Sequence, residues 1–153
     1  MKQLAHLLLL IIVTQIYVLE AKNNKDETEY DSAFSRDGIV FSVGKMNWFA
    51  AYGFCTQLGM ELLTLESSVD NREFQKMAQH YKLQNKNYWL AANRLEDNTT
   101  FRWGLRGRPL SFENWQLGQP DNKGGNQRCS RLYVDHQWDD VDCFTEFPVI
   151  CHY

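Results

Sequence analysis

The sequence predicts an α+β fold for a chain of 153 residues, which is enough for one domain with one hydrophobic core. Two observations indicate this class. Apolar residues recur at helical spacing between residues 47 and 81, and short runs of strand-forming residues follow from residue 88 onward. Helices and strands do not alternate, which argues against a parallel βαβ arrangement. A hydrophobic content of 44%, with five tryptophans, can fill the core.

The start of the chain, residues 1–21, has the pattern of a secretory signal peptide. Lys2 precedes a largely apolar stretch over Leu4–Leu19, and the small residue Ala21 is followed by a polar run. We expect cleavage near Ala21 and therefore a secreted, extracellular protein. The alternative is an uncleaved anchor, but the apolar stretch is short for a bilayer core of about 30 Å.

The globular domain is expected over residues 34–153, after a polar segment at 22–33 that predicts a flexible leader. A short strand is predicted at 39–43. Asn47 can cap a first helix, which should end at Gly59 because glycine is favoured just after a helix.

A second helix is predicted from Ser68 to Tyr81, with a buried stripe formed by Phe74, Met77, Ala78 and Tyr81. Four strand-like runs follow, at residues 88–92, 101–103, 132–134 and 149–152. The loop-rich stretch from Leu105 to Cys129 separates two of them. Loops of this length persist in compact domains when they carry function or hold an ion.

Charge and motif content exclude several functions. The net charge is −3 and the 16 basic residues are scattered, which argues against nucleic acid or an anionic membrane as the partner. His80, His136 and His152 are isolated from any serine or cysteine motif, so no hydrolytic triad is expected. The adjacent pair Asp139 and Asp140 could serve a glycosidase, but its position beyond a proline turn fits metal ligation better. We therefore expect no enzymatic activity.

The cysteines and one sequon fit an exported protein. An even number of cysteines predicts two disulfides, and sequence alone allows three pairings. Zinc ligation is disfavoured because no close Cys-x-x-Cys pair occurs. Asn98 begins an N-glycosylation sequon, Asn-Thr-Thr, and should therefore lie in an exposed turn.

Two oxygen-rich clusters lie in the second half of the chain. The first runs from Gln119 to Gln127 and begins with Gln-Pro-Asp, and the second runs from Trp138 to Cys143 and contains three aspartates. Such oxygen ligands suit calcium, which takes about 6–8 of them. A cis bond before Pro120 would let the flanking side chains turn toward one point. The alternative, a polar turn beside a solvated acidic patch, explains either cluster alone better than both together.

These motifs resemble those of C-type lectin domains, from Phe34 to the end of the chain. The matching segments occur in the family's order: Trp89-Leu90-Ala91-Ala92, Phe101-x-Trp103, Gln119-Pro120-Asp121 and Trp138-Asp139-Asp140-Val141-x-Cys143. The resemblance implies a C-type lectin-like fold, with two helices, small antiparallel sheets and a long calcium- and sugar-binding loop region. It also implies the disulfides Cys55–Cys151 and Cys129–Cys143.

The resemblance further implies that a terminal sugar binds through calcium, two neighbouring hydroxyls completing the shell of the ion. The side chains that would bind both calcium and sugar are Gln119, Asp121, Gln127, Asp139 and Asp140. The backbone carbonyl of Asp140 would be a further ligand. A Gln-Pro-Asp motif goes with galactose-type sugars in this family. Weak single-sugar contacts would gain from several copies, so an oligomer is compatible with this function.

Several positions depart from the family pattern. Gln127 stands where glutamate is usual and Asp139 where asparagine is usual, so three carboxylates are kept and calcium is expected to bind. No aromatic residue follows the Gln-Pro-Asp motif to stack on galactose. Arg94 and Arg128 replace acids of the auxiliary calcium site, where they would repel an ion. The alternative function is a protein-binding module of the same fold that has lost calcium-dependent sugar binding.

Overall fold

The computed structural model describes residues 34–36, 38–42, 44–83 and 86–153. The predicted signal peptide at 1–21 and leader at 22–33 lie outside the described residues. Within the described ranges, neither helix combines the length and the apolar character needed to cross a bilayer.

Two four-stranded antiparallel sheets form the framework. The first sheet joins the two ends of the domain, with Ile39 opposite His152 and Glu61 on the other side of His152. Its strands, in spatial order, are β1 (Phe34–Arg36), β2 (Ile39–Phe41), β8 (Ile150–His152) and β3 (Glu61–Leu62).

The second sheet carries the long loop. Its strands, in spatial order, are β5 (Arg102–Trp103), β4 (Tyr88–Asn93), β6 (Gln127–Leu132) and β7 (Trp138–Asp142). Every residue of β4 is buried. The chain between β5 and β6 forms the long loop, residues 104–126, whose last turn is a 3₁₀ helix at Lys123–Gly125.

Both predicted helices are confirmed, with ends close to those expected. Helix α1 (Trp48–Gln57) begins after Asn47, whose Oδ1 accepts a hydrogen bond from the amide of Ala50 at 3.0 Å. It ends before Gly59, whose φ of +69° is costly for other residues. Helix α2 (Ser68–His80) begins after Ser67, which accepts from the amide of Asp70.

The core contains the predicted residues. Trp48, Trp89 and Trp138 are fully buried, Trp103 is buried, and Trp115 is partly buried against them. Of the predicted stripe on α2, Phe74 and Ala78 are buried, whereas Met77 and Tyr81 pack against the core from its edge. The tryptophans are therefore core residues, as the sequence indicated.

The strand expected at 132–134 lies earlier in the chain, at Gln127–Leu132. Tyr133 instead begins the turn to β7, where its amide donates to the carbonyl of Gln137 at 2.8 Å. His136 in this turn has a φ of +64°. The sequence of β6 contains too many polar residues to predict a buried strand. Residues of this strand become buried because β6 pairs with a strand on each side.

Both disulfides have the pairing that the resemblance implied. Cys55–Cys151 ties α1 to β8, and Cys129–Cys143 ties β6 to the residue that follows β7. In the chain-entropy model, loops of these sizes stabilise the fold by about 4.7 and about 3 kcal/mol respectively.

Candidate functional site

The base of the long loop is fixed to β7 by a buried tryptophan. The amide of Trp138 donates to the carbonyl of Asn114, and the amide of Gln116 donates to the carbonyl of Trp138, at 2.8 and 2.9 Å. Between them, the ring of Trp115 packs edge-on to that of Trp138, with centroids 5.5 Å apart. The residues that follow, from Leu117 onward, therefore start from a point fixed beside the first residue of β7.

Asp140 joins β7 to the Gln-Pro-Asp turn. Its side chain is fully buried. Oδ1 accepts a hydrogen bond from the amide of Asp121 at 2.9 Å, and Oδ2 accepts one from the amide of Asn122 at 3.0 Å. One carboxylate thus positions the loop backbone directly after Pro120, where the peptide bond is cis.

Three other predicted residues meet in the same turn. Gln119 Oε1 accepts from the amide of Asp121 at 2.9 Å, and Asp121 Oδ1 accepts from the amide of Lys123 at 3.0 Å. The Lys123 amide also donates to Gln127 Oε1. The structure therefore brings together Gln119, Asp121, Gln127 and Asp140, which we call the loop cluster.

Asn122 closes this turn, a role that the sequence did not reveal. Its Oδ1 accepts from the amide of Gln127 at 3.2 Å, and its backbone has a φ of +49°. Asparagine tolerates this left-handed conformation better than most residues. The signal was present in the Asn-Lys-Gly-Gly stretch, but it indicates only a turn and not the partner of the side chain.

Asp139 is not bonded to the loop cluster. Its carboxylate accepts hydrogen bonds from Arg131, which lies directly opposite on β6. The guanidinium of Arg131 also lies over the rings of Tyr133 and Phe147, 4.8 and 5.3 Å from their centroids. Successive side chains of a strand point to opposite faces, so Asp139 and Asp140 are adjacent in sequence but separate in space.

Arg94 provides a positive charge beside Asp140. Its Nη2 donates to Asp140 Oδ2 at 2.7 Å, and its Nε and Nη2 donate to the backbone carbonyl of Gln127 at 3.0 and 2.6 Å. The guanidinium lies over the ring of Phe101, 5.0 Å from the centroid. Sequence reasoning gave Arg94 only a repelling effect on an auxiliary ion, because its partner is distant in the chain.

The surroundings of Asp140 act on its pKa in opposite directions. Burial raises the pKa of this carboxyl, while the two loop amides and Arg94 lower it. Burial is the larger influence, so the pKa lies above its ordinary value. The hydrogen bonds and the ion pair stabilise the charged form that the surrounding core disfavours.

The loop cluster has the chemistry of a hard-cation site. Two carboxylates and two side-chain amides supply oxygens, and neither a thiolate nor an imidazole is among them. In the described ranges, no group of three or more His, Cys, Asp or Glu residues is placed to hold a metal ion. Beside the two carboxylates, the side-chain amide oxygens of Gln119 and Gln127 are the further donors in the loop cluster. With Arg94 counted, the two carboxylates leave one net negative charge.

A family model described as the Lectin C-type domain matches residues 44–153. The chain belongs to the C-type lectin domain family. Salivary C-type lectin 1 of Aedes albopictus is 29% identical over 151 residues, covering 93% of this chain and 95% of that protein. C-type lectin 37Db of Drosophila melanogaster is 29% identical over 147 residues, covering 94% of this chain and 95% of that protein.

The fold is shared with solved C-type lectin domains. The carbohydrate-recognition domain of the human scavenger receptor C-type lectin superimposes with a TM-score of 0.68 at 23% identity, covering 80% of this chain and 96% of that one. C-type lectin domains are carbohydrate-binding modules and not enzymes, which confirms the expectation that this chain has no catalytic function.

Proposed function

We propose that this protein is a secreted lectin that binds terminal sugars in a calcium-dependent way through the loop cluster. The observation that carries the proposal is the buried Asp140, which holds the backbone of the Gln-Pro-Asp turn at 2.9 and 3.0 Å. Burying a carboxylate costs free energy of folding. A role of Asp140 in positioning oxygen ligands for binding would explain why this cost is tolerated.

Gln119, Asp121, Gln127 and Asp140 would hold the calcium ion, with the backbone carbonyl of Asp140 as a further ligand. When bound, calcium would draw two neighbouring sugar hydroxyls into its shell. The amides of Gln119 and Gln127 can donate as well as accept, so each can also orient a hydroxyl. Asp139, the fifth residue of the predicted set, would join these ligands only by leaving Arg131.

The Gln-Pro-Asp sequence supports galactose-type sugars as ligands, on glycoproteins or microbial surfaces. Affinity for one sugar would be low, so several copies of the domain would raise avidity. Asn98 is exposed in a turn, which supports its modification by a glycan. The Asp97 carboxylate stabilises that turn by accepting from the amides of Thr99 and Thr100.

The direct test is a glycan array probed with the full secreted, oxidised protein, with calcium and again with a chelator. We expect chelator-sensitive binding to terminal galactose or N-acetylgalactosamine. Chelator-sensitive binding to other sugars would keep the lectin and discard the sugar class. Binding that a chelator leaves unchanged would contradict the role of calcium.

A second candidate is a protein-binding module that has lost calcium-dependent sugar binding. The observation that favours it is that both adjacent aspartates are neutralised, Asp139 by Arg131 and Asp140 by Arg94. Neutralised carboxylates attract a divalent cation less strongly. A blank array, from protein whose circular dichroism shows it to be folded, would support this candidate against the lectin.

A further inference from the structure

The geometry points to Arg94 as an internal cation that keeps the long loop in its binding conformation without a bound metal ion. Sugar binding is proposed to need calcium, whereas this inference concerns the loop before any ion or sugar arrives. It does not depend on the proposed function, because the conformation of the loop can be measured without a sugar.

The guanidinium of Arg94 joins the strands on either side of the loop cluster. Its Nε and Nη2 bind the carbonyl of Gln127 at the first residue of β6, and Nη2 also binds Asp140 on β7. The planar fork of arginine suits two acceptors at once, which the single ammonium of lysine does not reproduce. Arg94 therefore connects the start of β6 to the carboxylate that positions the Gln-Pro-Asp turn.

Both charges of this contact are largely removed from solvent. The Arg94 side chain is 11% exposed and that of Asp140 is 0% exposed, so solvent screens the pair weakly. The ring of Phe101 covers one side of the guanidinium. In addition, the amide of Arg94 donates to the carbonyl of Arg128 at 2.8 Å, which fixes the backbone from which the side chain extends.

The buried negative charge of Asp140 explains why a cation is required beside it. Its two oxygens accept from the amides of Asp121 and Asn122, and these amides alone would have to stabilise a full buried charge if Arg94 were absent. A buried charge that loses its partner is strongly destabilising. The carboxylate would then draw in water or another cation, and its bonds to the loop backbone would weaken.

A lysine-specific protease tests this in the full oxidised chain. Lys123 lies exposed at the tip of the turn, and cleavage after it requires the local bonds to open. The two fragments stay joined by Cys55–Cys151, so cleavage is measured by mass spectrometry after reduction. In a chelator, Arg94→Gln should raise the cleavage rate at Lys123 by about tenfold or more. The control Arg106→Gln removes an exposed charge from the first turn of the loop and should change nothing.

The same cleavage experiment is repeated with calcium in place of the chelator. Without the guanidinium, an added calcium ion can neutralise Asp140, so calcium should slow cleavage at Lys123 by a larger factor in Arg94→Gln than in the wild type. Cleavage of Arg94→Gln at the wild-type rate would overturn the inference. Equal protection of both proteins by calcium would overturn it as well.

If Arg94→Gln does not fold, cleavage will be faster at Lys45, Lys76 and Lys86 as well as at Lys123. In that case the variant Arg94→Lys is used instead. The lysine keeps the charge but not the fork, so cleavage should rise at Lys123 and not at Lys45, Lys76 or Lys86, and the product of cleavage at the new lysine is counted separately. A wild-type rate in Arg94→Lys would contradict the bridging role of the guanidinium. A blank glycan array would leave all these outcomes unchanged, so failure of the proposed function and failure of this inference are distinguishable.

Discussion

Two aspartate–arginine pairs lie back to back on strand β7, and they differ in what surrounds them. Asp139 pairs with Arg131 within the strand ladder, beside the rings of Tyr133 and Phe147. Asp140 pairs with Arg94 and also accepts two backbone amides from the long loop. The two aspartate–arginine pairs therefore have different roles. The pair of Asp139 and Arg131 stabilises the sheet, and the pair of Asp140 and Arg94 stabilises the loop.

This difference shows that a sequence motif can be divided by the geometry of a strand. The Trp-Asp-Asp sequence reads as a pair of ligands for one ion, but alternation along β7 directs its two carboxylates to opposite faces. Only the carboxylate that faces the loop carries the Gln-Pro-Asp turn. Changing each pair separately should therefore have different effects on binding and on stability.

The largest effect is expected from Asp140→Asn. The new side chain keeps the size of aspartate, but its NH₂ group faces one of the N–H donors that the carboxylate accepted from. We therefore expect the free energy of unfolding to fall by about 3 kcal/mol. Sugar and calcium binding should also disappear. Chemical denaturation and isothermal titration measure the two effects. Retained sugar binding in Asp140→Asn would refute the assignment of the site.

A smaller effect, and only on stability, is expected from breaking the pair on the other face. Asp139→Asn should cost about 1 kcal/mol, because Arg131 remains partly exposed and is supported by two aromatic rings. A double-mutant cycle with Arg131→Met isolates the interaction. Sugar binding by Asp139→Asn should match the wild type in the same titration. A large loss of binding would show that Asp139 moves into the site when ligand arrives.

The smallest effect is expected from Gln127→Glu. It adds a carboxylate to the loop cluster, where Asp121 and Asp140 are offset by Arg94, so calcium affinity should rise by about threefold. Titration with calcium in the absence of sugar measures it. A weaker affinity would instead mean that the carboxylate of Asp139 already fills the place of the added one, which would join the two positions in one site.

Much of the fold could be predicted because its signals are local. Asn47 and Gly59 mark the ends of α1, and apolar spacing marks the buried face of α2. The tryptophans identified the core, and the resemblance supplied the pairing of the cysteines. Strand β6 was displaced in the prediction because its burial depends on neighbouring strands, which no local pattern encodes.

The candidate site could be predicted only as a set of oxygen donors. Motif order identified Gln119, Asp121, Gln127 and Asp140, and the structure places them together. The order of the motifs could not reveal that Asp139 binds Arg131, because this contact depends on the register of β6 against β7. Nor could it reveal the contact of Arg94 with Asp140, since 46 positions separate the two residues.

The pairing of β2 with β8 has a practical consequence for presenting this domain. Because β1 and β8 both run antiparallel to β2, which lies between them, the chain enters this sheet at Phe34, at one end of the strands, and leaves it at His152, at the other end. A linker attached before β1 and one attached after β8 would therefore leave this sheet at opposite ends of its strands. In an array of copies, the choice of terminus for attachment would therefore decide which side of the domain faces outward.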